Sequence, residues 1–116
     1  MSKDIERKIA VIFVTDVVAF SKMMEKNEDD TLRSFRSCRD ILDNLFKEHG
    51  GRIFNTAGDS VLAEFPSAVT ALVCATEFQK MINKRNLSVS EDLQMQFRIG
   101  LNIGDVIVEG LSLIHI

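Results

Sequence analysis

The sequence predicts an α+β fold, a ferredoxin-like βαββαβ sheet with two helices packed against it. Three observations carry this prediction. The nearly continuous apolar run "RKIAVIFVTDVVAF" has the composition of a strand buried on both faces. Two segments with apolar residues at helical spacing flank a pair of short strand-like runs. An alternating segment then follows the second helix, and one further strand is expected after it.

The first strand and the first helix come from the long apolar run and the periodic segment after it. The strand is predicted over Arg7–Phe20, and its one acid, Asp16, comes near its end. The helix is predicted over 29–49. Gly50 and Gly51 stop it, because glycine readily takes the left-handed conformation that ends helices. The apolar stripe of this helix consists of Leu32, Phe35, Cys38, Leu42, Leu45 and Phe46.

A hairpin and a second helix follow. Two short strands, Arg52–Asn55 and Ser60–Phe65, are joined by "TAGD", which supplies the glycine and polar residues of a tight turn. Pro66 ends the second of these strands, and Ser67 is a suitable N-cap for the helix. The apolar stripe of the second helix consists of Ala68, Ala71, Leu72, Ala75, Phe78 and Ile82.

The next segment, "LQMQFRIGLNIG", alternates between apolar and polar residues, as a strand with one covered face does. Its polar face carries Arg98, which is interpreted as a solvated or paired strand residue. "GD" at 104–105 is a turn signal, so "VIVEG" is predicted to be a separate strand in a hairpin with it. The apolar face consists of Met95, Phe97, Ile99, Leu101 and Ile103.

Composition restricts the class of protein and its compartment. The 116 residues are 46% hydrophobic and 27% charged, which fits one globular domain. The net charge of −3 gives no basic surface for nucleic acid, so no nucleic-acid partner is expected. The longest apolar run, Ile9–Val14, is too short to cross a bilayer. Cys38 and Cys74 are interpreted as free core thiols, which indicates a reducing, cytoplasmic location.

Asp59 lies in the predicted hairpin turn, and taken alone it is most simply a turn residue. Asp16 is harder to explain, because a charge in a nearly continuous apolar strand is costly unless it is paired or exposed. In the predicted topology the first strand and the hairpin lie side by side, so both carboxylates point into one space. They would repel each other unless a cation lies between them. Mg²⁺ and Mn²⁺ take such oxygen ligands.

Three segments, in order, carry a resemblance to a known family. "FVTDVVAFSKMM" resembles F-x-D-I-x-G-F-S/T, and "GGRIFNTAGDSVLAEF" resembles G-G-x-x-x-K-x-x-G-D-x-x-x-x-x-F. "FRIGLNIGDVIVEG" resembles R-x-G-I/L-x-x-G-x-V/A-x-x-G. These are signatures of class III adenylate and guanylate cyclase catalytic domains, and together they cover residues 7–110. The resemblance implies the palm-like sheet core of those domains.

The resemblance also implies a site. Asp16 and Asp59 would be the catalytic residues and, with the backbone carbonyl of Val17, would hold two divalent ions, Mg²⁺ or Mn²⁺. One ion would lower the pKa of the ribose 3′-hydroxyl, and the other would hold the triphosphate. The 3′-oxygen would attack the α-phosphorus and release pyrophosphate. Four backbone amides would face the phosphates, those of Val18, Ala19, Phe20 and Ser21.

This chain departs from the family pattern at two positions, Asn55 and Ala19. Asn55 stands where adenylyl cyclases of the family often carry a Lys that reads the base, and Asn can accept as well as donate. Asn55 is therefore the predicted base-binding residue, with ATP preferred as substrate and GTP the alternative. Ala19 replaces the usual glycine of the phosphate loop.

The extent of the domain is the last expectation. Residues 1–110 resemble the N-terminal part of a cyclase domain, whereas 111–116 carry no cap or turn signal and are expected to be a foreign or out-of-frame tail. The family continues with an Asn and an Arg that stabilise the transition state, and the chain ends before them. Family sites form between two cyclase domains, so a second domain is the expected partner, in a homodimer or a heterodimer, and this chain alone is expected to be inactive. The alternative is a non-catalytic pairing or regulatory module that binds nucleotide and metal.

Overall fold

The computed structural model describes residues 5–109 and 112–115, with side chains over 8–105. The chain runs β1-α1-α2-β2-β3-α3-β4-β5, which confirms the predicted α+β architecture and adds a short helix, α1, directly after the first strand. The strands are β1 (Ile5–Val17), β2 (Arg52–Ala57), β3 (Ser60–Phe65), β4 (Phe97–Glu109) and β5 (Ser112–His115). The helices are α1 (Phe20–Lys26), α2 (Glu28–His49) and α3 (Ala68–Asn86).

The five strands form one antiparallel sheet in the order β2-β3-β1-β4-β5. The central strand, β1, pairs with β3 on one side, where Thr15 lies opposite Val61. On its other side it pairs with β4 over its whole length, from Ile5 to Val17. Because β3 runs antiparallel to β1, the β2–β3 turn lies beside the C-terminal end of β1. This juxtaposition positions the candidate site.

The helices α2 and α3 contribute their buried residues to a core on one face of the sheet. Phe13 of β1 is fully buried there, and its ring centroid lies 5.1 Å from that of Phe46 and 5.5 Å from that of Phe65. A smaller cluster on the opposite face consists of Ala10, Ile12, Val14 and Phe54, and no described helix residue belongs to it. Alternate residues of β1 therefore enter two different environments, as the two-residue repeat of a strand requires.

The ends of α2 agree with the sequence signals. The Asn27 side chain caps its N-terminus by accepting a hydrogen bond from the Asp30 amide at 3.0 Å. Gly50 caps its C-terminus with φ of 78°, a left-handed conformation that favours glycine. Cys38 and Cys74 are free and buried, as expected. None of the helices among the described residues combines the length and the apolar character needed to cross a bilayer.

Several strand boundaries differ from the prediction, among them the end of β2, which lies at Ala57. The first strand ends at Val17, and the chain enters α1 at Phe20. The turn predicted at 104–105 is absent, because β4 continues through it and stays paired with β1 as far as Glu109 opposite Ile5. A long partner strand supplies hydrogen bonds along the whole segment, and this outweighs a local turn preference. The strand that does pair with β4 as a hairpin is β5.

The apolar stripe of α3 is also shifted. Ala68 and Leu72 are exposed, with Leu72 at 59%, while Cys74 is fully buried in their place. Residues 110, 111 and 116 lie outside the described part of the chain. The expectation that 111–116 form a tail outside the domain stays a prediction.

Candidate active site at the end of the central strand

The hairpin turn brings Asp59 to the end of β1. Gly58 takes φ of 58°, which lets the chain reverse between β2 and β3. The carboxylate Oδ2 of Asp59 then accepts a hydrogen bond from the Val17 amide at 2.8 Å. Asp59 is therefore more than a turn residue, because its side chain links the hairpin to the central strand.

The backbone of Val17 faces the same space. The Val18 amide donates to the Gln96 carbonyl at 2.8 Å, which makes Val17 and Phe97 a non-hydrogen-bonded pair of the antiparallel ladder. The N–H and C=O groups of Val17 therefore point away from β4 and toward the hairpin. The N–H meets Asp59, and the carbonyl oxygen is directed to the same side.

Asp16 directly precedes Val17, so the side chains of the two residues lie on opposite faces of the sheet. It lies directly across the ladder from Arg98 on β4. The guanidinium holds both carboxylate oxygens, with Nε donating to Oδ1 at 2.8 Å and Nη2 donating to Oδ2 at 3.1 Å. The hydrogen bond and the charge of Asp16, with a smaller effect of Asp59, raise the pKa of Arg98 further above its usual value. Arg98 is therefore a permanent cation at this site.

One cavity joins these groups. Its volume is about 360 Å³, and it is lined by Asp16, Val17, Ala19, Phe20, Ser21, Lys22, Asp59 and Arg98. A neighbouring cavity of about 750 Å³ shares Ala19 and Lys22 with it. Asp16 and Asp59 are thus brought together, as the sequence predicted. Arg98, interpreted from the sequence as a solvated or paired strand residue, lies with them and is paired with Asp16.

The segment between β1 and α1 carries an unusual backbone conformation. Ala19, the N-cap of α1, has φ of 58° and ψ of 32°, and it is the one non-glycine residue with positive φ among the described residues. The prediction that the Val18 amide faces a phosphate is wrong, because this amide donates to the Gln96 carbonyl. The amides of Ala19, Phe20 and Ser21 lie at the start of α1, where N–H groups have no acceptor within the helix.

Asn55 lies on the same face of the sheet as Asp16 but is not among the residues lining the cavity. Its cross-strand partner is Leu62 on β3, which pairs in turn with Val14, two positions before Asp16 on β1. Residues that pair across strands share a face. Asn55 is exposed there, outside the cavity that holds the two acids.

Comparison with known proteins places the chain in a family. The family model for the adenylate and guanylate cyclase catalytic domain matches residues 1–115. This chain belongs to that family. The putative adenylate cyclase 3 of Rhizobium meliloti (strain 1021) is 37% identical over 115 residues, which are 97% of this chain and 20% of that protein.

Solved cyclase structures agree with the fold. The adenylate/guanylate cyclase/hydrolase from Silicibacter pomeroyi is 36% identical with a TM-score of 0.82, and the match covers 95% of this chain and 64% of that one. A bacterial light-regulated adenylyl cyclase, 21% identical with a TM-score of 0.81, has the same fold over 96% of this chain and 63% of its own. This cyclase-family chain therefore spans a fifth of the curated relative and under two thirds of these solved chains.

Proposed function

We propose that this chain supplies the metal-binding half of a nucleotide cyclase active site. The site would convert a nucleoside triphosphate, with ATP preferred over GTP, to a 3′,5′-cyclic nucleotide and pyrophosphate for intracellular signalling. The observation that carries the proposal is the meeting of Asp16, Val17 and Asp59 in one cavity at the end of β1, in a chain of the cyclase family.

The donor atoms of the cavity fit a hard divalent cation. Asp16 and Asp59 offer carboxylate oxygens, and Val17 offers its carbonyl oxygen on the same side of the strand. Neither His nor Cys is among the residues that line this cavity. Mg²⁺ and Mn²⁺ prefer such all-oxygen sets, whereas zinc sites mostly include nitrogen or sulfur ligands.

In the proposed reaction the ribose 3′-oxygen attacks the α-phosphorus, and the bond from that phosphorus to the bridging oxygen breaks. Pyrophosphate leaves, and the proton of the 3′-hydroxyl passes to water. Divalent ions, when bound, neutralise the triphosphate and favour the ionised 3′-oxygen. The Val17 amide orients the Asp59 carboxylate for its proposed role as a metal ligand. The amides of Ala19, Phe20 and Ser21 are proposed to contact the phosphate oxygens.

Base recognition is assigned to Asn55. Asn55 shares with Asp16 the open face of the sheet, which is the face opposite α2 and α3. This shared face supports a nucleotide lying across it with its base away from the acids. In a domain with a complete C-terminal part, we expect Asn55→Lys to change the ATP-to-GTP ratio of kcat/KM several-fold, because one polar contact contributes about 1 kcal/mol. An unchanged ratio would remove residue 55 from the base site.

The proposed partner is a second cyclase domain, and it provides the test. The chain is mixed with a full-length cyclase domain whose two metal-binding Asp residues are changed to Asn, and cyclic nucleotide is measured with Mn²⁺. We expect activity from the mixture and none detectable from either protein alone, because the loss of each transition-state donor lowers kcat about 10²–10³-fold.

Two variants of this chain serve as controls in that mixture. Asp59→Asn should abolish the activity, whereas Asp40→Asn, on the exposed side of α2, should leave it unchanged. Nucleotide and metal binding without turnover in a mixture that co-purifies would instead favour a non-catalytic pairing module.

A further inference from the structure

One of the two proposed metal ligands already has a cationic partner within the chain. The Arg98 guanidinium contacts both oxygens of Asp16, at 2.8 and 3.1 Å. The two residues are separated by 82 positions in sequence and are brought together by the β1–β4 ladder, in which they are direct partners. Such a bidentate contact uses the planar fork of Arg, which Lys cannot reproduce.

Asp59 is held differently. Its hydrogen bond comes from the Val17 amide, a neutral donor, and reaches Oδ2. This contact fixes the orientation of the side chain without neutralising it. The two acids of the cavity are therefore unequal, because one carboxylate is paired with a full positive charge and the other is positioned by the backbone.

We infer that Arg98 is the resting counter-ion of Asp16, and that a divalent cation binds Asp16 only when the guanidinium withdraws. The inference rests on the proposed function, because it assumes that Asp16 is a metal ligand. A cation at either oxygen of Asp16 would meet the Arg98 charge at close range, and the guanidinium already occupies one lone-pair direction on each oxygen. Arg98 thereby lowers metal affinity in the free protein and is a positioning residue for Asp16.

Exposure decides the size of this competition. The Arg98 side chain is 69% exposed and that of Asp16 is 35% exposed, so the guanidinium can move into water. Exposed ion pairs are individually weak, and their loss changes an equilibrium by at most about tenfold. We therefore expect Arg98 to weaken metal binding several-fold, without preventing it.

The test is Mn²⁺ affinity, measured by titration calorimetry on the chain without nucleotide. Arg98→Gln should bind Mn²⁺ about three- to tenfold more tightly than the wild type. Arg98→Lys should lie between the two, because it keeps the charge and loses the bidentate contact. The matched control is Arg52→Gln, which removes a cation from β2, where Arg52 faces Glu64 at 4.0 Å and does not line the cavity.

The control should change the Mn²⁺ affinity by less than about twofold, since a distant exposed charge is largely screened. Raising the KCl concentration should also reduce the difference between the wild type and Arg98→Gln. Equal or weaker Mn²⁺ binding by Arg98→Gln would overturn the inference, as would an equal gain in Arg52→Gln. A failure of the proposed function is distinguishable, because Asp59→Asn would then leave the wild-type Mn²⁺ affinity unchanged.

Discussion

The two faces of β1 use alternate residues for different purposes. On the face covered by α2 and α3, Phe13 and Val17 are buried in a cluster built largely from aromatic and aliphatic side chains. On the open face, Ile12 is also fully buried, but Asp16, four positions further along the strand, pairs with Arg98. The same strand thus contributes to the core with one set of residues and to the candidate site with the other.

The difference follows from access to water. On the open face, Lys8 pairs with Glu64 at 2.7 Å, and Arg98 pairs with Asp16. These charges keep part of their hydration, so placing them there costs little. An unpaired charge at a buried position of the covered face, such as that of Phe13, would lose its hydration. The open face can therefore hold charged, ligand-binding groups without loss of the fold, and four substitutions test this division.

The largest effect is expected from the covered face. Phe13→Ala should lower the free energy of unfolding by about 3–5 kcal/mol, because it opens a cavity between the Phe46 and Phe65 rings. Urea denaturation measures it. The control is Ile9→Ala on the same face of β1, where Ile9 is 73% exposed, and it should change stability by less than about 0.5 kcal/mol. Similar losses in the two variants would mean that the burial of Phe13 is not what stabilises the covered face.

The second effect belongs to the candidate site. Asp59→Asn should weaken Mn²⁺ binding by at least about 10- to 100-fold, because the loss of even an outer-shell partner of a metal ligand lowers the affinity by that factor. Stability should change much less than in Phe13→Ala, since the side-chain carbonyl oxygen of the asparagine can still accept a hydrogen bond from the Val17 amide. Calorimetric titration and urea denaturation of one preparation measure both quantities. A variant that binds Mn²⁺ normally would exclude Asp59 as a ligand.

A smaller effect is expected where the chain passes from β1 to α1. Ala19 holds a left-handed conformation that costs a residue with a side chain about 1 kcal/mol. Ala19→Gly should raise the unfolding free energy by up to about 1 kcal/mol, because glycine adopts this conformation freely. Ala57→Gly, at an exposed strand position, should lower it instead. If both variants lose stability equally, the conformation of Ala19 is not strained.

The smallest effect on stability at neutral pH is that of Cys74 ionisation on the covered side, which acts only in alkaline solution. Burial, followed by the charges of Glu77 and Glu48, raises the pKa of Cys74 to about 11. The unfolded chain releases this proton near pH 9, so the unfolding free energy should fall between about pH 9 and 11. Cys74→Ala should show a shallower decline in pH-dependent urea denaturation. Parallel curves would mean that the thiol does not contribute.

The fold could be predicted well because each element carries a local signal. The helical spacing on α2 and its capping glycine gave its limits to within a residue, and the alternation after Gln96 predicted a strand. Local signals misled where a partner strand decided the outcome. The 104–105 dipeptide is a turn signal, yet β4 passes through it because the long β1 offers hydrogen bonds on that side.

The candidate site shows the same limit. Asp16 and Asp59 could be predicted as a pair, since the end of a strand and the tip of the next hairpin meet in this topology. Arg98 was predicted only as a solvated or paired strand residue. Its partner, Asp16, was missed because the pairing depends on register, and a shift of one residue would place Arg98 on the other face. An exposed Arg in an alternating strand carries no signal of its partner.

The sequence by itself determined the α+β fold, the family and the two acids, because hydrophobic periodicity, turn residues and motif spacing are local properties of the chain. Only the tertiary structure decided how those acids are held. Asp59 is fixed by an amide 42 positions away, and Asp16 is neutralised by a guanidinium 82 positions away. Both contacts depend on strand register, which is set by pairing over the whole sheet and by the core beneath it.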